Sequence, residues 1–177
     1  TLESPVPHFG APKNGFSVVP VTNGYGINFV NKLSEESAAK NRVLINGAGL
    51  SVGDFNNDGL PDIFLCGLDN ENRLYQNLGN WKFKEWKGTG ATSFALKGIY
   101  SRGSVMADVN ADGWVDILVS TVGQGVRLFV NDNGDSFIEK TNEWNLATTH
   151  GSSSLALADV NQDGFLDLYV ANNRAQD

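Results

Sequence analysis

Nine residues, Asp54-Phe55-Asn56-Asn57-Asp58-Gly59-Leu60-Pro61-Asp62, hold the most legible chemistry in this chain, and they are written three times. The second copy is Asp108-Val109-Asn110-Ala111-Asp112-Gly113-Trp114-Val115-Asp116, and the third is Asp159-Val160-Asn161-Gln162-Asp163-Gly164-Phe165-Leu166-Asp167. Each reads D-x-N-x-D-G-x-x-D. Oxygen ligands at positions 1, 3 and 5 of a tight loop converge on one point, and the main-chain carbonyl of position 7 joins them. Glycine at position 6 permits the turn, and the aspartate at position 9 closes the set. Three carboxylates within nine residues repel one another unless a cation lies between them. Hard oxygen ligands without His or Cys select calcium over zinc, and six or more select it over magnesium.

Three Ca2+ sites are therefore expected. The first would use Asp54, Asn56, Asp58, the carbonyl of Leu60, and Asp62. The second would use Asp108, Asn110, Asp112, the carbonyl of Trp114, and Asp116, and the third Asp159, Asn161, Asp163, the carbonyl of Phe165, and Asp167. An EF-hand would need Glu at position 12, where this chain has Leu65, Val119 and Val170.

The segments that must position these loops are short and apolar. Leu50-Ser51-Val52-Gly53, Val105-Met106-Ala107 and Leu155-Ala156-Leu157-Ala158 precede them, and Ile63-Phe64-Leu65, Ile117-Leu118-Val119 and Leu168-Tyr169-Val170 follow. Such runs read as buried strands, so each loop joins the two strands of a hairpin. A second element, Arg73-Leu74-Tyr75-Gln76-Asn77, returns 54 residues later as Arg127-Leu128-Phe129-Val130-Asn131, and Phe29, Phe83 and Phe137 keep the same spacing. Four antiparallel strands in about 50 residues is the size of one β-propeller blade. The expected fold class is all-β. A lead-in is expected over 1–26, an outer strand at 27–33, blades at 48–87 and 102–141, and an incomplete blade at 153–177. Gly53, Ala107 and Ala158 suit a crowded innermost strand.

Net charge is −7, and nine of the 20 acidic residues lie in the loops. Three Ca2+ would bring it to −7 + 6 = −1, so the acidity is metal chemistry, and nucleic acid is not an expected partner. Cys66 is the sole cysteine and reads as a small buried hydrophobe. No stretch is long and apolar enough to span a membrane. The chain opens at Thr1 without Met and reads as a processed or trimmed product.

The segments Gly53–Phe64, Asn72–Asn80, Ala107–Leu118 and Ala158–Tyr169 resemble the FG-GAP/VCBS repeat family, particularly bacterial proteins whose propellers precede an ASPIC/UnbV-type domain. The likeness covers roughly residues 27–173. It implies a calcium-bound propeller that is secreted, periplasmic or at a cell surface. The chain departs from the integrin form of these repeats, because no Gly-Ala-Pro follows the second strand, so integrin-like ligand recognition does not carry over. Three blades do not close a ring. The chain thus reads as part of a larger, seven-bladed propeller, with closure by another subunit as the alternative.

The function expected is protein binding, adhesion or scaffolding, with calcium structural and with an unidentified protein or glycan as ligand. His8 and His150 are the only histidines, and no nucleophile motif surrounds Ser152-Ser153-Ser154, so no catalytic residue is assigned. A carbohydrate-binding propeller is the first alternative, with Trp86 and Trp144 as sugar-stacking candidates, and a propeller-type polysaccharide lyase is the second.

Overall fold

The computed structural model describes residues 24–88 and 93–173. Most of the expected lead-in lies outside them. Ten strands follow the repeat: β1 (Leu50–Gly53), β2 (Asp62–Leu65), β3 (Arg73–Asn77), β4 (Phe83–Trp86), β5 (Ser101–Ala107), β6 (Asp116–Thr121), β7 (Val126–Asp132), β8 (Ser136–Glu139), β9 (Gly151–Ala158) and β10 (Asp167–Asn173). They make two four-stranded antiparallel sheets, ordered β1-β2-β3-β4 and β5-β6-β7-β8, and one hairpin of β9 and β10. The all-β reading holds, and the sheets are the blades of the repeat.

Packing explains the strand sequences. The segment Ile117-Leu118-Val119 of β6 does not alternate because β6 is buried on both faces, by the first sheet on one side and the hairpin on the other. Phe55, Phe64 and Leu74 of the first blade meet Met106, Ile117, Val119, Phe129 and Phe137 of the second in one core. Leu118, Val126 and Leu128 form a second core with Val105, Val109, Leu155, Leu157, Leu168 and Val170, which joins the second blade to the hairpin. A fully buried apolar side chain contributes on the order of 1.5–3 kcal/mol, so these cores, more than any loop contact, set the blade geometry. The inner strands run close together. A Cβ on Gly53 would lie 2.9 Å from Met106 Cβ and 3.1 Å from Val115 Cγ1, which is why this position is glycine.

Residues 27–33 differ from expectation, since no strand forms there. The segment is pinned mostly through asparagine side chains: Tyr75 Oη donates to Asn28 Oδ1 (2.9 Å), and the Leu68 amide donates to Asn31 Oδ1 (3.1 Å). Bonds of that kind do not build a backbone ladder. Next come a six-residue helix, α1 (Glu35–Lys40), capped by Ser34, and a 3₁₀ turn at Arg42–Asn46 capped by Asn41. Six residues are too few to show a periodic apolar stripe. Asp69 ties α1 to the first blade by accepting from the Ser34 amide (2.5 Å) and Ser37 Oγ (2.7 Å), and these bonds hold its carboxyl below the usual range.

Candidate metal centres

The three loops repeat one hydrogen-bond pattern. In the first, Asp54 Oδ1 accepts from the Asp58 amide (3.1 Å) and Asp54 Oδ2 from the Gly59 amide (2.8 Å). Asn56 Oδ1 accepts from the Asp58 amide (3.2 Å), and Asp58 Oδ1 accepts from the Leu60 amide (2.8 Å). Asp108, Asn110 and Asp112 make the same bonds in the second loop. Asp159, Asn161 and Asp163 make them in the third. The curvature comes from left-handed residues at positions 4 and 6. Gly59, Gly113 and Gly164 have φ of 83°, 89° and 90°, and Asn57, Ala111 and Gln162 have 56°, 61° and 62°. Alanine and glutamine adopt that region at a cost, so it is loop closure that imposes the wrap.

Position 9 behaves differently from positions 1, 3 and 5. Asp62 is fully buried, and its two oxygens accept from the Phe55 amide (3.1 Å) and the Asn77 amide (2.7 Å). Asp116 is equally buried and accepts from the Val109 (2.9 Å) and Asn131 (2.8 Å) amides. Each therefore ties its own loop to the third strand of its own blade. Burial pushes both carboxyls up to about 6, against the opposing effect of those amides. Asp54 and Asp58 add to the rise at Asp62, and Asp108 and Asp112 to that at Asp116. Asp167 accepts from the Val160 amide (2.9 Å) in the same way.

The donor chemistry suits a hard dication. The side chains are carboxylates and carboxamides, and an oxygen that accepts one N–H keeps a lone pair for another partner. Among the described residues, no three His, Cys, Asp or Glu side chains are placed to hold a metal by themselves. A cation would therefore draw on the Asn56, Asn110 and Asn161 amide oxygens and on loop carbonyls, and the repeat supplies both.

Asn131 emerges only from the structure. Its Nδ2 donates to the Phe55 carbonyl of the first loop (2.8 Å) and to the Val115 carbonyl of the second (2.9 Å), and its Oδ1 accepts from the Gly134 amide (2.8 Å). Asn57 Nδ2 also donates to the Gly113 carbonyl (3.0 Å), so adjacent loops are linked twice. Asn77, the counterpart of Asn131, donates to the Pro61 carbonyl of its own loop (2.9 Å). The signal for this role was the asparagine closing each copy of the third strand.

The tryptophans separate. Trp86, one of the two sugar-stacking candidates, is half-buried: its ring packs edge-on against Phe55 (5.1 Å) and Phe137 (5.6 Å) and stacks on Phe94 (5.9 Å). β4 turns this residue toward the neighbouring blade, so much of the ring serves packing. Trp144 is exposed, in the turn after β8. At position 7, Leu60 and Trp114 are half-buried while Phe165 is open. Arg73 and Arg127 pair with Glu85 (3.1 Å) and Glu139 (2.5 Å), each bracing the third strand to the fourth. Ser152 and Ser153 bond across the β9–β10 hairpin to Asn172 Oδ1 and the Ala171 carbonyl. Cys66 is buried, which pushes its thiol up to about 11.

A family model described as an FG-GAP-like repeat matches residues 54–119 and again 108–170. The chain is 29% identical over 130 residues to cartilage acidic protein 1 of Xenopus tropicalis, covering 71% of this chain and 20% of that protein. It is 35% identical over 77 residues to integrin alpha-3 of Cricetulus griseus (37% and 7%) and 26% over 143 residues to integrin alpha-V of Gallus gallus (71% and 13%). The chain thus spans a fifth or less of the length of these relatives.

Proposed function

Because the chain belongs to the FG-GAP-like repeat family, we propose that it is a propeller segment acting outside the cytoplasm as a protein-binding or adhesion module, with a Ca2+ in each of its three loops. The threefold recurrence of one hydrogen-bond pattern around Asp54, Asp108 and Asp159 carries this reading. Positions 1, 3 and 5 and the position 7 carbonyl would ligate the ion directly, and Asp62, Asp116 and Asp167 would close each site while keeping their bonds to main-chain amides. The ion's part is to neutralise clustered carboxylates and hold the hairpin closed. Saturation at a hundred times the dissociation constant would stabilise each site by about 2.7 kcal/mol. Against a total of roughly 5–15 kcal/mol, three such sites would decide whether the segment is folded. Extracellular calcium modules work at dissociation constants of about 10⁻⁴–10⁻³ M, and the integrin and cartilage relatives support a secreted, periplasmic or surface location. The rest of the same propeller, or another subunit, would complete the fold.

Equilibrium dialysis with metal analysis tests the calcium reading. Three Ca2+ per chain are expected, with little competition from equimolar Mg2+ and a large fall in melting temperature in EDTA. Absence of bound calcium would refute it. The exposure of Trp144 sustains a sugar-binding reading as the second choice. Glycan-array binding that disappears in Trp144→Ala would favour it.

A further inference from the structure

The two side-chain links between the first and second loops straddle a proposed ligand at each end. Asn57 Nδ2 donates to the Gly113 carbonyl (3.0 Å), and Asn131 Nδ2 donates to the Phe55 carbonyl (2.8 Å) and the Val115 carbonyl (2.9 Å). In the first loop the linked residues are positions 2 and 4, on either side of Asn56, the ligand proposed at position 3. In the second they are positions 6 and 8, on either side of Trp114, whose carbonyl is the ligand proposed at position 7. Asn56 and Trp114 also meet through the turn between β7 and β8. A Cβ on Gly134 would lie 3.0 Å from Trp114 Cζ3 and 3.4 Å from Asn56 Cα, and Asn131 Oδ1 holds the Gly134 amide (2.8 Å). The Asn131 amide itself donates to Asp116 Oδ1 (2.8 Å), which gives this one residue a further hold on the second loop.

We propose that Asn57 and Asn131 are positioning residues that couple the first two Ca2+ sites positively, so that filling either loop raises the affinity of the other. This coupling deepens the calcium reading of the loops and rests on it. A loop gives up conformational freedom when it wraps a cation, and a neighbour already ordered through these links removes part of that cost. Repulsion between two bound dications acts the other way, so a positive sign identifies the links as its source. Linkage is reciprocal: the factor by which the first site helps the second equals the factor by which the second helps the first. About tenfold is expected, the worth of one or two hydrogen bonds. Position 4 of the second loop is Ala111, which has no side-chain donor, so no counterpart of the Asn57 link leaves that loop for the third.

Calcium titration of the full chain, followed by the amide NMR signals of Gly59, Gly113 and Gly164, tests the coupling loop by loop. Each of these amides donates to the position 1 aspartate of its own loop, at 2.8, 2.8 and 2.9 Å. Disabling the first site with Asp58→Asn should raise the calcium midpoint read at Gly113 about tenfold. Disabling the second with Asp112→Asn should raise the midpoint read at Gly59 by the same factor. In an Asn57→Ala background both effects should fall to about threefold or less, since one of the two links is gone. Alanine fits there, because Ala111 holds the same place in the second loop with φ of 61° against 56° at Asn57, and circular dichroism should show the variant folded. The Gly164 midpoint should stay within about twofold in Asn57→Ala, because the side-chain bonds of the two asparagines go to the first two repeats. An equal shift at all three glycines in that variant would reveal a general loosening and overturn the positioning role. Three filled sites with a Gly113 midpoint that ignores Asp58→Asn, or falls with it, would overturn the coupling while leaving the calcium reading intact. No response to calcium at any of the three glycines would overturn the calcium reading itself, and the coupling with it.

Discussion

Replacing Asn131 with alanine removes three side-chain hydrogen bonds from a residue only 3% exposed. Two of them hold the Phe55 and Val115 carbonyls and the third holds the Gly134 amide, at 2.8, 2.9 and 2.8 Å. A hydrogen bond is worth about 1 kcal/mol net, but a buried group left without a partner costs about 1–3 kcal/mol. The bond to the Phe55 carbonyl is buried, so water cannot replace it. The expected loss is about 3–5 kcal/mol. Asn77 provides the internal control, because its side-chain bonds to the Pro61 carbonyl and the Gly79 amide are exposed and part-buried. Asn77→Ala should cost about 1–2 kcal/mol. Urea unfolding in excess calcium, followed by circular dichroism, measures both. In a chain of this length the Asn131→Ala loss corresponds to a fall of roughly 10 °C in melting temperature. Equal costs for the two variants would refute the claim that Asn131 locks one blade's loop to the next.

Gly53→Val should destabilise by about 1–3 kcal/mol or more in thermal melts, because its Cβ would fall 2.9 Å from Met106 Cβ. Trp86→Ala should cost about 3–5 kcal/mol through the lost contacts with Phe55, Phe94 and Phe137, so its effect will appear in stability before any binding assay. Cys66 is 1% exposed with its thiol pushed up to about 11, so an aromatic disulfide reagent should label it only as fast as the protein opens. Labelling of native protein at the rate of a free thiol would contradict that.

The blades were legible from the repeat because each hairpin is built from neighbours in the chain. The same holds for the loops. A carboxylate at position 1 reaches amides four and five residues on, and the glycine at position 6 lets the backbone turn to meet it, so spacing alone specifies the wrap. The segment 27–33 was misread as a strand because one aromatic at repeat spacing resembles a strand, whereas the partners of Asn28 and Asn31 lie 47 and 37 residues away.

What the sequence determined by itself was therefore everything within reach of a short stretch of chain: three oxygen-rich loops, the strands beside them and the blade period. Tertiary structure decided which face of each blade meets its neighbour. It buried Asp62, packed the half-buried Trp86 against Phe55, Phe94 and Phe137, and made Asn131, 76 residues from Phe55, a tie between the first two loops. The physical reason is that alternation along a strand assigns residues to two faces without saying what covers either one. Only the packing of one blade on the next settles that, through contacts between residues a full repeat apart.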